Sequence, residues 1–177
     1  MSIPTTSRTY RRTVDGKSIE LLEEPLSHKL DPTEALLKIH AVSLNFRDIA
    51  MINGRYPVEV IKQGIPCSDA AATVVAVGSS VTTVKIGDYV TPGFNNNIID
   101  GTEKHVGAKA LGGDVDGVLR EYAVFDQKVL TKVPEHLSYE EASTIACAGV
   151  TAWSALDMGR SLEAESALMQ GTGESSI

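Results

Sequence analysis

The sequence is short of cysteine and of long hydrophobic runs. Its two cysteines, Cys67 and Cys147, lie far apart in a chain of 177 residues, so no disulfide framework is indicated. No apolar run approaches the roughly 18 residues that a transmembrane helix needs. Residues 1–10 are polar and lack the apolar segment of a signal peptide. These absences predict a cytoplasmic protein.

Clusters of basic residues are absent as well. The formal net charge is -7, whereas binding to nucleic acid phosphates needs clustered Lys and Arg. Arg8, Arg11 and Arg12 stand among several Ser and Thr and also fit a transit peptide, but Asp15 and a strand-like pattern follow at once.

Apolar residues are plentiful: 42% of the residues are hydrophobic, enough for the core of one domain and part of another.

Short strands separated by Gly, Pro, Asn and Asp dominate the first three quarters of the chain. The predicted strands are residues 34–43, 70–77, 89–91, 118–125 and 129–133. Between the first two strands, Phe46, Ile49 and Ile52 recur with helical spacing. Gly54 is placed to end that helix. The region is therefore predicted to be a β-rich domain with one short helix.

A different pattern occupies the second half of the chain. Residues 94–117 are polar and rich in Gly and Asn, which predicts a functional loop or an excursion over the surface. Ser138 and Glu141 have the spacing of a capping box, so a helix is predicted to begin there. Gly149 and Thr151 are candidate interruptions of this helix.

The last residues carry a strand followed by a glycine turn. Residues 166–170 are typical of a buried strand, and Gly171 and Gly173 follow directly. The order of elements is thus many strands, then helix, strand and turn. It predicts a β-rich domain followed by the start of an α/β domain.

Six segments along the chain carry a family pattern in order and spacing. They are AVSLNFRD (41–48), PCSDAAATVVAVGSSV (66–81), KIGDYVTP (85–92), GDVDGVLREYAV (113–124), CAGVTAWSAL (147–156) and QGTG (170–173). Together they resemble the medium-chain dehydrogenase/reductase family of alcohol dehydrogenases and quinone oxidoreductases. The resemblance implies a β-rich α+β fold. Residues 1–134 would form a GroES-like, partly open β-barrel, and residues 135–177 the first helix and strand of an incomplete Rossmann cofactor-binding domain.

Zinc-type members of this family hold a catalytic zinc ion with three protein ligands. Where such relatives have a Cys this chain has Asn45, and where they have a His-Glu pair it has Ser68 and Asp69. Cys147 matches one ligand position, but a single thiolate cannot hold a catalytic zinc ion. Loop 94–117 also lacks the four Cys of a structural zinc site. The sequence therefore predicts a zinc-independent protein without a metal site, and Cys147 is interpreted as a small buried hydrophobe.

The resemblance also implies which residues line the cleft between the two domains. Asn45, Arg47 and Tyr56 are its candidates, with Asn45 near the nicotinamide ribose or the substrate. Asn45 is equally suited to cap the helix that begins at Phe46. Arg47 and Asp48 fit a solvated or locally paired couple, which is the favoured interpretation of those two residues.

Cofactor contacts are implied at Asn45, Thr151, Gly171 and Gly173. Thr151 would approach the nicotinamide, and the two glycines occupy the first two places of a pyrophosphate-binding turn. Glu174 departs from the family pattern, because its carboxylate would compete with the phosphate for the same amide groups. Trp153, near Thr151, is interpreted as a core residue.

Three functional hypotheses follow. The first is the N-terminal fragment of a zinc-independent NAD(P)H-dependent oxidoreductase that is truncated and inactive alone. Its full-length relatives would use NADP or NAD on a small-molecule alcohol, aldehyde or enone, whereas this chain would bind neither cofactor. The second is a non-catalytic GroES-like module that binds another protein, and the third is a half-enzyme completed by a partner chain. Nucleic acid and membrane partners are not expected.

Overall fold

The structure is a computed structural model, and it describes residues 3–99, 102–103 and 107–156. The predicted strand 166–170 and the glycines Gly171 and Gly173 lie outside the described residues. The strands are β1 (Thr6–Arg12), β2 (Ile19–Pro25), β3 (Glu34–Ser43), β4 (Asp69–Val77), β5 (Tyr89–Pro92), β6 (Tyr122–Asp126) and β7 (Leu130–Lys132). The helices are α1 (Phe46–Ile52), α2 (Tyr139–Ser143) and α3 (Val150–Ala155), with a 3₁₀ turn at Gln127–Val129 and a π-helical turn at Ile145–Gly149.

Five strands form one curled antiparallel sheet in the order β6-β3-β4-β5-β7. The predicted strand Glu34–Ser43 is confirmed as β3, which lies between β6 and β4. Its pairing with β4 shifts register at Leu36/Leu37 and at Ile39/Ala41. Such irregularities bend a strand and increase its twist, which helps the sheet to curl into a half-barrel. The expected GroES-like, β-rich architecture is therefore present.

The barrel core is built from the inward-facing residues of these strands and from the loop before β6. It includes Leu37, Val74, Val90, Leu111, Val118 and Phe125, each at most 3% exposed. Burial of apolar side chains of this size contributes about 1.5–3 kcal/mol each relative to exposure. The site residues project from the ends of these strands, and this core holds the strand ends in place.

A separate ribbon of β1 and β2 lies beside this sheet, paired from Thr6↔Pro25 to Arg12↔Ile19. Residues 119–121 connect the ribbon to the sheet. The backbone N–H of Tyr10 donates to Leu119 O at 3.0 Å, and the N–H of Ile39 donates to Glu121 O at 2.8 Å. The loop thus bridges β1 and β3, and it is irregular where the sequence predicted a strand from residue 118.

The C-terminal helical region follows the predicted capping box and then departs from one continuous helix. Ser138 Oγ accepts the N–H of Glu141, and the Glu141 carboxylate accepts the N–H of Ser138. The π-helical turn Ile145–Gly149 interrupts the helix close to the glycine expected to do so. Trp153 is 57% exposed, so its interpretation as a core residue is wrong. No helix in the described part of the chain is long and apolar enough to cross a membrane.

Candidate functional site

The end of β3 and the start of β4 bring two polar side chains together. Ser43 pairs with Asp69 in the sheet, so Asn45, two residues beyond Ser43, stands beside that carboxylate. The Asn45 Nδ2 donates a hydrogen bond of 2.7 Å to Asp69 Oδ2. Asn45 is 8% exposed and Asp69 is fully buried. This amide–carboxylate pair is the centre of the candidate site.

Asp48 fixes the position of Asn45 from the other side. One carboxylate oxygen of Asp48 accepts the backbone N–H of Asn45 at 3.0 Å, and the other accepts that of Cys67 at 3.2 Å. Asn45 is therefore the N-cap residue of α1, which was one of its two predicted roles. Its side-chain nitrogen points to Asp69. The two expectations for Asn45 are compatible, because different atoms serve the helix start and the site.

The buried carboxyl group of Asp69 is the main electrostatic feature of the site. Burial raises its pKa from 3.8 to about 6, and the hydrogen bond from Asn45 and the backbone amide of Cys147 oppose that rise. Asp69 Oδ1 has no partner of full hydrogen-bond geometry, and neither has the fully buried hydroxyl of Ser68. The site thus keeps unsatisfied polar atoms next to a group that titrates near neutral pH, an arrangement common at functional sites.

Cys147 approaches Asp69 from the C-terminal helical region, and Thr151 lies beside Cys147. Cys147 lies in the π-helical turn, and burial raises the pKa of its thiol, with the negative charge of Asp69 adding to the effect. A side-chain hydrogen bond from Thr151 acts in the opposite direction. Thr151 is exposed. Cys147 is half-buried, so its interpretation as a small buried hydrophobe needs correction. The open helical turn, rather than the sheet core, surrounds it.

Arg47 and Tyr56 form a second group beside this pair. The Arg47 Nη1 donates to Leu111 O at 2.9 Å, and its Nε lies 3.4 Å from the Tyr56 hydroxyl. The guanidinium carbon lies 4.7 Å from the ring centre of Phe94 and 5.5 Å from that of Tyr56. Asp48 has its own backbone partners, so the interpretation of Arg47 and Asp48 as a locally paired couple is wrong.

Sequence reasoning missed Phe94 and Leu111 as parts of the site. Both belong to the polar loop 94–117, where Phe94 is the sole aromatic side chain and therefore the one usable signal. Leu111 contributes only a backbone oxygen, for which the sequence holds no signal.

We expect Arg47→Lys to lower the free energy of unfolding by about 1 kcal/mol, because an ammonium group cannot stack flat on Phe94 while it also reaches Leu111 O. Urea denaturation measures this change. Arg55→Lys, at an exposed position one turn beyond α1, serves as the control and should leave the stability unchanged. Equal stability of the Arg47→Lys protein and the parent would show that the stacking contributes nothing.

Few zinc-ligating side chains lie together in the part of this region that the structure describes. No group of three or more His, Cys, Asp or Glu side chains converges within the residues that the structure describes. At the centre, the Asn45 nitrogen is committed as a donor to Asp69, which leaves one carboxylate and one half-buried thiol. Zinc in proteins takes three or four ligands, mostly thiolate and imidazole.

Comparison with known proteins gives the family of the chain. Residues 31–135 match the alcohol dehydrogenase GroES-like domain. A zinc-type alcohol dehydrogenase-like protein of Schizosaccharomyces pombe is 40% identical over 135 residues, which are 76% of this chain and 39% of that protein. The chain belongs to the family of the alcohol dehydrogenase GroES-like domain, found in medium-chain dehydrogenase/reductase proteins.

Solved structures show the same fold. Acetophenone reductase from Geotrichum candidum in complex with NAD superposes with a TM-score of 0.78 at 22% identity, over 89% of this chain and 49% of that one. CAD from Helicobacter pylori complexed with NADP(H) gives 0.73 at 20% identity, over 88% and 49%. The chain therefore spans about half the length of these relatives, or less.

Proposed function

We propose that the chain is the N-terminal part of a zinc-independent NAD(P)H-dependent oxidoreductase, and that it is inactive alone. The family match supports oxidoreductase ancestry, and the span of about half the length of its relatives, or less, supports a part of a longer enzyme. Residues 1–134 would be the GroES-like domain and residues 135–177 the beginning of the cofactor domain. Two free cysteines and an acidic composition support a cytoplasmic location.

The observation that carries the zinc-independent part of this proposal is the contact between Asn45 and Asp69. By resemblance, Asn45 stands where zinc-type relatives have a thiolate ligand. Its amide nitrogen, which cannot bind a cation, faces the carboxylate at 2.7 Å. The hydrogen bond uses one carboxylate oxygen of Asp69 and the amide nitrogen of Asn45, as expected of a site that works by positioning rather than through a metal ion.

In the whole enzyme a bound nicotinamide cofactor would supply the hydride. Asn45 and Thr151 would hold it from two sides, since Thr151 is exposed and reaches the Cys147 thiol beside Asp69. Gly171 and Gly173 would bind its pyrophosphate. Arg47 and Tyr56 would orient the substrate.

Titration of the chain with NADPH and NADH tests this proposal, with nicotinamide fluorescence and thermal unfolding followed together. We expect no saturable binding up to about 1 mM cofactor, corresponding to a binding free energy weaker than about -4 kcal/mol, together with a cooperative melt of the barrel. A ligand that binds the native state would raise the midpoint. Equimolar Zn²⁺ should leave the midpoint unchanged.

Saturable binding in the micromolar range would contradict the inactivity of the chain. Asn45→Ala, with the exposed Asn53→Ala as its matched control, would then show whether the cofactor lies at the proposed site. A higher midpoint with Zn²⁺ would overturn the zinc-independent part of the proposal.

An apolar surface beside Asn45 favours a second candidate function. Leu44, Phe46 and Ile49 are 63%, 83% and 55% exposed, and a cavity of about 290 Å³ with an almost wholly apolar lining lies among them. Contiguous exposed apolar surface marks interaction sites. A protein-interaction module, or a half-enzyme completed by a partner chain, would use this surface.

A further inference from the structure

Strand β2 has one backbone edge that no neighbouring strand covers. On one side β2 pairs with β1 over its whole length, from Ile19 to Pro25. On the other side it receives no backbone hydrogen bond from any residue that the structure describes. An exposed strand edge is a template for pairing with another chain. This edge shares no residue with the Asn45–Asp69 pair, so what binds there is independent of the proposed function.

The register of the ribbon shows which backbone groups of β2 face outwards. Just beyond the last pair, the N–H of Leu26 donates to Thr5 O at 2.8 Å. Hydrogen-bonded and non-hydrogen-bonded pairs alternate along an antiparallel ladder. Counting back from this bond, the N–H and C=O groups of Ile19, Leu21 and Glu23 point away from β1.

The corresponding outward groups of β1 are already used. The N–H of Tyr10 donates to Leu119 O at 3.0 Å, and the N–H of Arg12 donates to Gly64 O at 3.1 Å. Strand β1 is therefore bonded on both sides, whereas β2 is bonded on one side alone. A further strand can join the ribbon only at β2.

An apolar groove of about 290 Å³ adjoins this edge. Tyr10 and Leu21 line it from the ribbon, and Ile39 and Val42 line it from β3. Leu21 therefore has outward backbone groups together with a side chain that is 50% exposed at the groove. Because side chains alternate between the two faces of a sheet, every second side chain of an added strand would lie on the groove face.

The charge of β2 is negative, because the strand has three glutamates and no basic residue. Glu24 is bound to Arg11. Glu20 and Glu23 make no ion pair with a described residue. The cations nearby have other acidic partners: Arg8 pairs with Glu121, Arg11 and Arg120 share Asp116 and Glu24, and Lys17 lies next to Asp15. Two uncompensated negative charges thus lie on either side of Leu21.

We propose that β2 binds an extended, basic segment of a partner protein as a third strand of the ribbon, through the outward backbone groups of Ile19, Leu21 and Glu23. Apolar side chains of that segment pack against Leu21 and Tyr10, and its basic side chains lie beside Glu20. In strand addition the backbone bonds give affinity and the alternate side chains give specificity. A second copy of β2 fits less well, because it would bring another three glutamates to the same short sheet.

Titration of the ¹⁵N-labelled chain with a capped heptapeptide of alternating lysine and valine tests this assignment. We expect a Kd below about 1 mM, with shifted amide signals and slowed hydrogen exchange at Ile19, Leu21 and Glu23. A peptide of alternating glutamate and valine should bind at least tenfold more weakly, since its charges repel those of β2.

Two N-methylated forms of the lysine peptide separate strand addition from charge attraction alone. With valine side chains on the groove face, the valine N–H groups are the ones that face β2. Methylation of the valine nitrogens should therefore weaken binding at least tenfold. Methylation of the lysine nitrogens, on the opposite edge of the peptide, should leave binding unchanged.

Charge reversal on the strand should reverse the preference for the two peptides. Glu20→Lys combined with Glu23→Lys should weaken binding of the lysine peptide at least tenfold and allow the glutamate peptide to bind. Glu59→Lys combined with Glu135→Lys, at two exposed positions outside the ribbon, is the matched control and should keep the preference for the lysine peptide. Leu21→Pro, which removes an outward N–H, should also weaken binding, since an edge strand tolerates proline at such a position.

Three results would overturn the proposal: no saturation by the lysine peptide up to about 10 mM, equal binding of its two N-methylated forms, or equal affinity of the parent and the charge-reversed strand for it. A dimer of the chain in sedimentation, with slowed exchange at the same three amides, would also overturn it, because a second copy would then occupy the edge.

Discussion

Gly117→Ala is expected to cost about 3 kcal/mol of the free energy of unfolding, a large fraction of the roughly 5–15 kcal/mol typical of a folded domain. A Cβ atom at this position would lie 2.0 Å from Cys67 O and 2.4 Å from Pro66 O. Both are backbone atoms that cannot rotate away. The approach is tight because Gly117 N–H donates to Ile65 O at 2.8 Å and Val118 N–H to Cys67 O at 3.0 Å.

This contact also affects the candidate site. Cys67 adopts a left-handed backbone conformation with φ of 66°, which a side chain makes unfavourable. Its N–H is the donor held by Asp48, the residue that also positions Asn45. Displacement of residues 65–67 by the new methyl group would therefore disturb the start of α1 along with the core.

Urea denaturation of Gly117→Ala beside Gly107→Ala measures the effect. A Cβ at Gly107 would meet no atom within 4 Å, and the backbone there has no left-handed conformation. This control should stay within about 0.5 kcal/mol of the parent. A loss below about 1 kcal/mol for Gly117→Ala would show that segment 65–67 can move aside, and that the tight approach does not hold the site.

Elements whose signal is local were predictable from the sequence. Strand β3 is rich in Leu, Ile and Val, and α1 is bounded by Asn45 and Gly54, which has φ of 64°. The Ser138 capping box is equally local, since both partners lie within three residues. Side-chain periodicity and helix caps depend only on neighbours along the chain. The folded structure therefore contains these elements where the sequence predicts them.

The sequence showed only a strand-like pattern after Asp15 and gave no bounds for the β1–β2 ribbon, for an identifiable reason. The buried residues of β1 are Ser7, Thr9 and Arg12, all polar, and β2 is almost wholly exposed. The alternation of apolar and polar residues that marks a half-buried strand is therefore absent. Contacts outside the sheet, such as the bond from Arg12 Nη2 to Gly112 O, bury this strand instead.

The candidate site shows the same division. Resemblance to the family indicated Asn45, Arg47 and Tyr56, and the structure brings the last two together. The contact of Asn45 with Asp69, 24 residues further on, and that of Arg47 with Leu111, 64 residues further on, depend on the register of the barrel. No local pattern carries that information. The role of Asp69 became apparent only from its complete burial.

Asp69→Asn is expected to stabilise the protein by up to about 3 kcal/mol at pH 8 and by less than about 1 kcal/mol at pH 4. The native pKa of this carboxyl group, about 6, lies above its ordinary value of 3.8. Between these two pH values the native state binds more protons than the unfolded state, so the stability of the parent falls as pH rises. Above pH 6 the full cost of ionising the buried group is present, about 3 kcal/mol for a shift of this size. The asparagine variant is uncharged, and its side-chain oxygen can still accept the bond from Asn45.

Urea denaturation of both proteins from pH 4 to pH 8 isolates this group, because all other titrations are common to the two. Asp31→Asn, at an exposed carboxylate, is the matched control substitution. The stability of Asp69→Asn relative to the parent should increase between pH 4 and pH 6. This result would mean that the parent retains a costly buried charge at neutral pH, as expected where that charge orients Asn45 for a ligand. A loss of stability at pH 8 would instead mean that the ionised carboxylate is needed by the fold, and that the contact with Asn45 is structural.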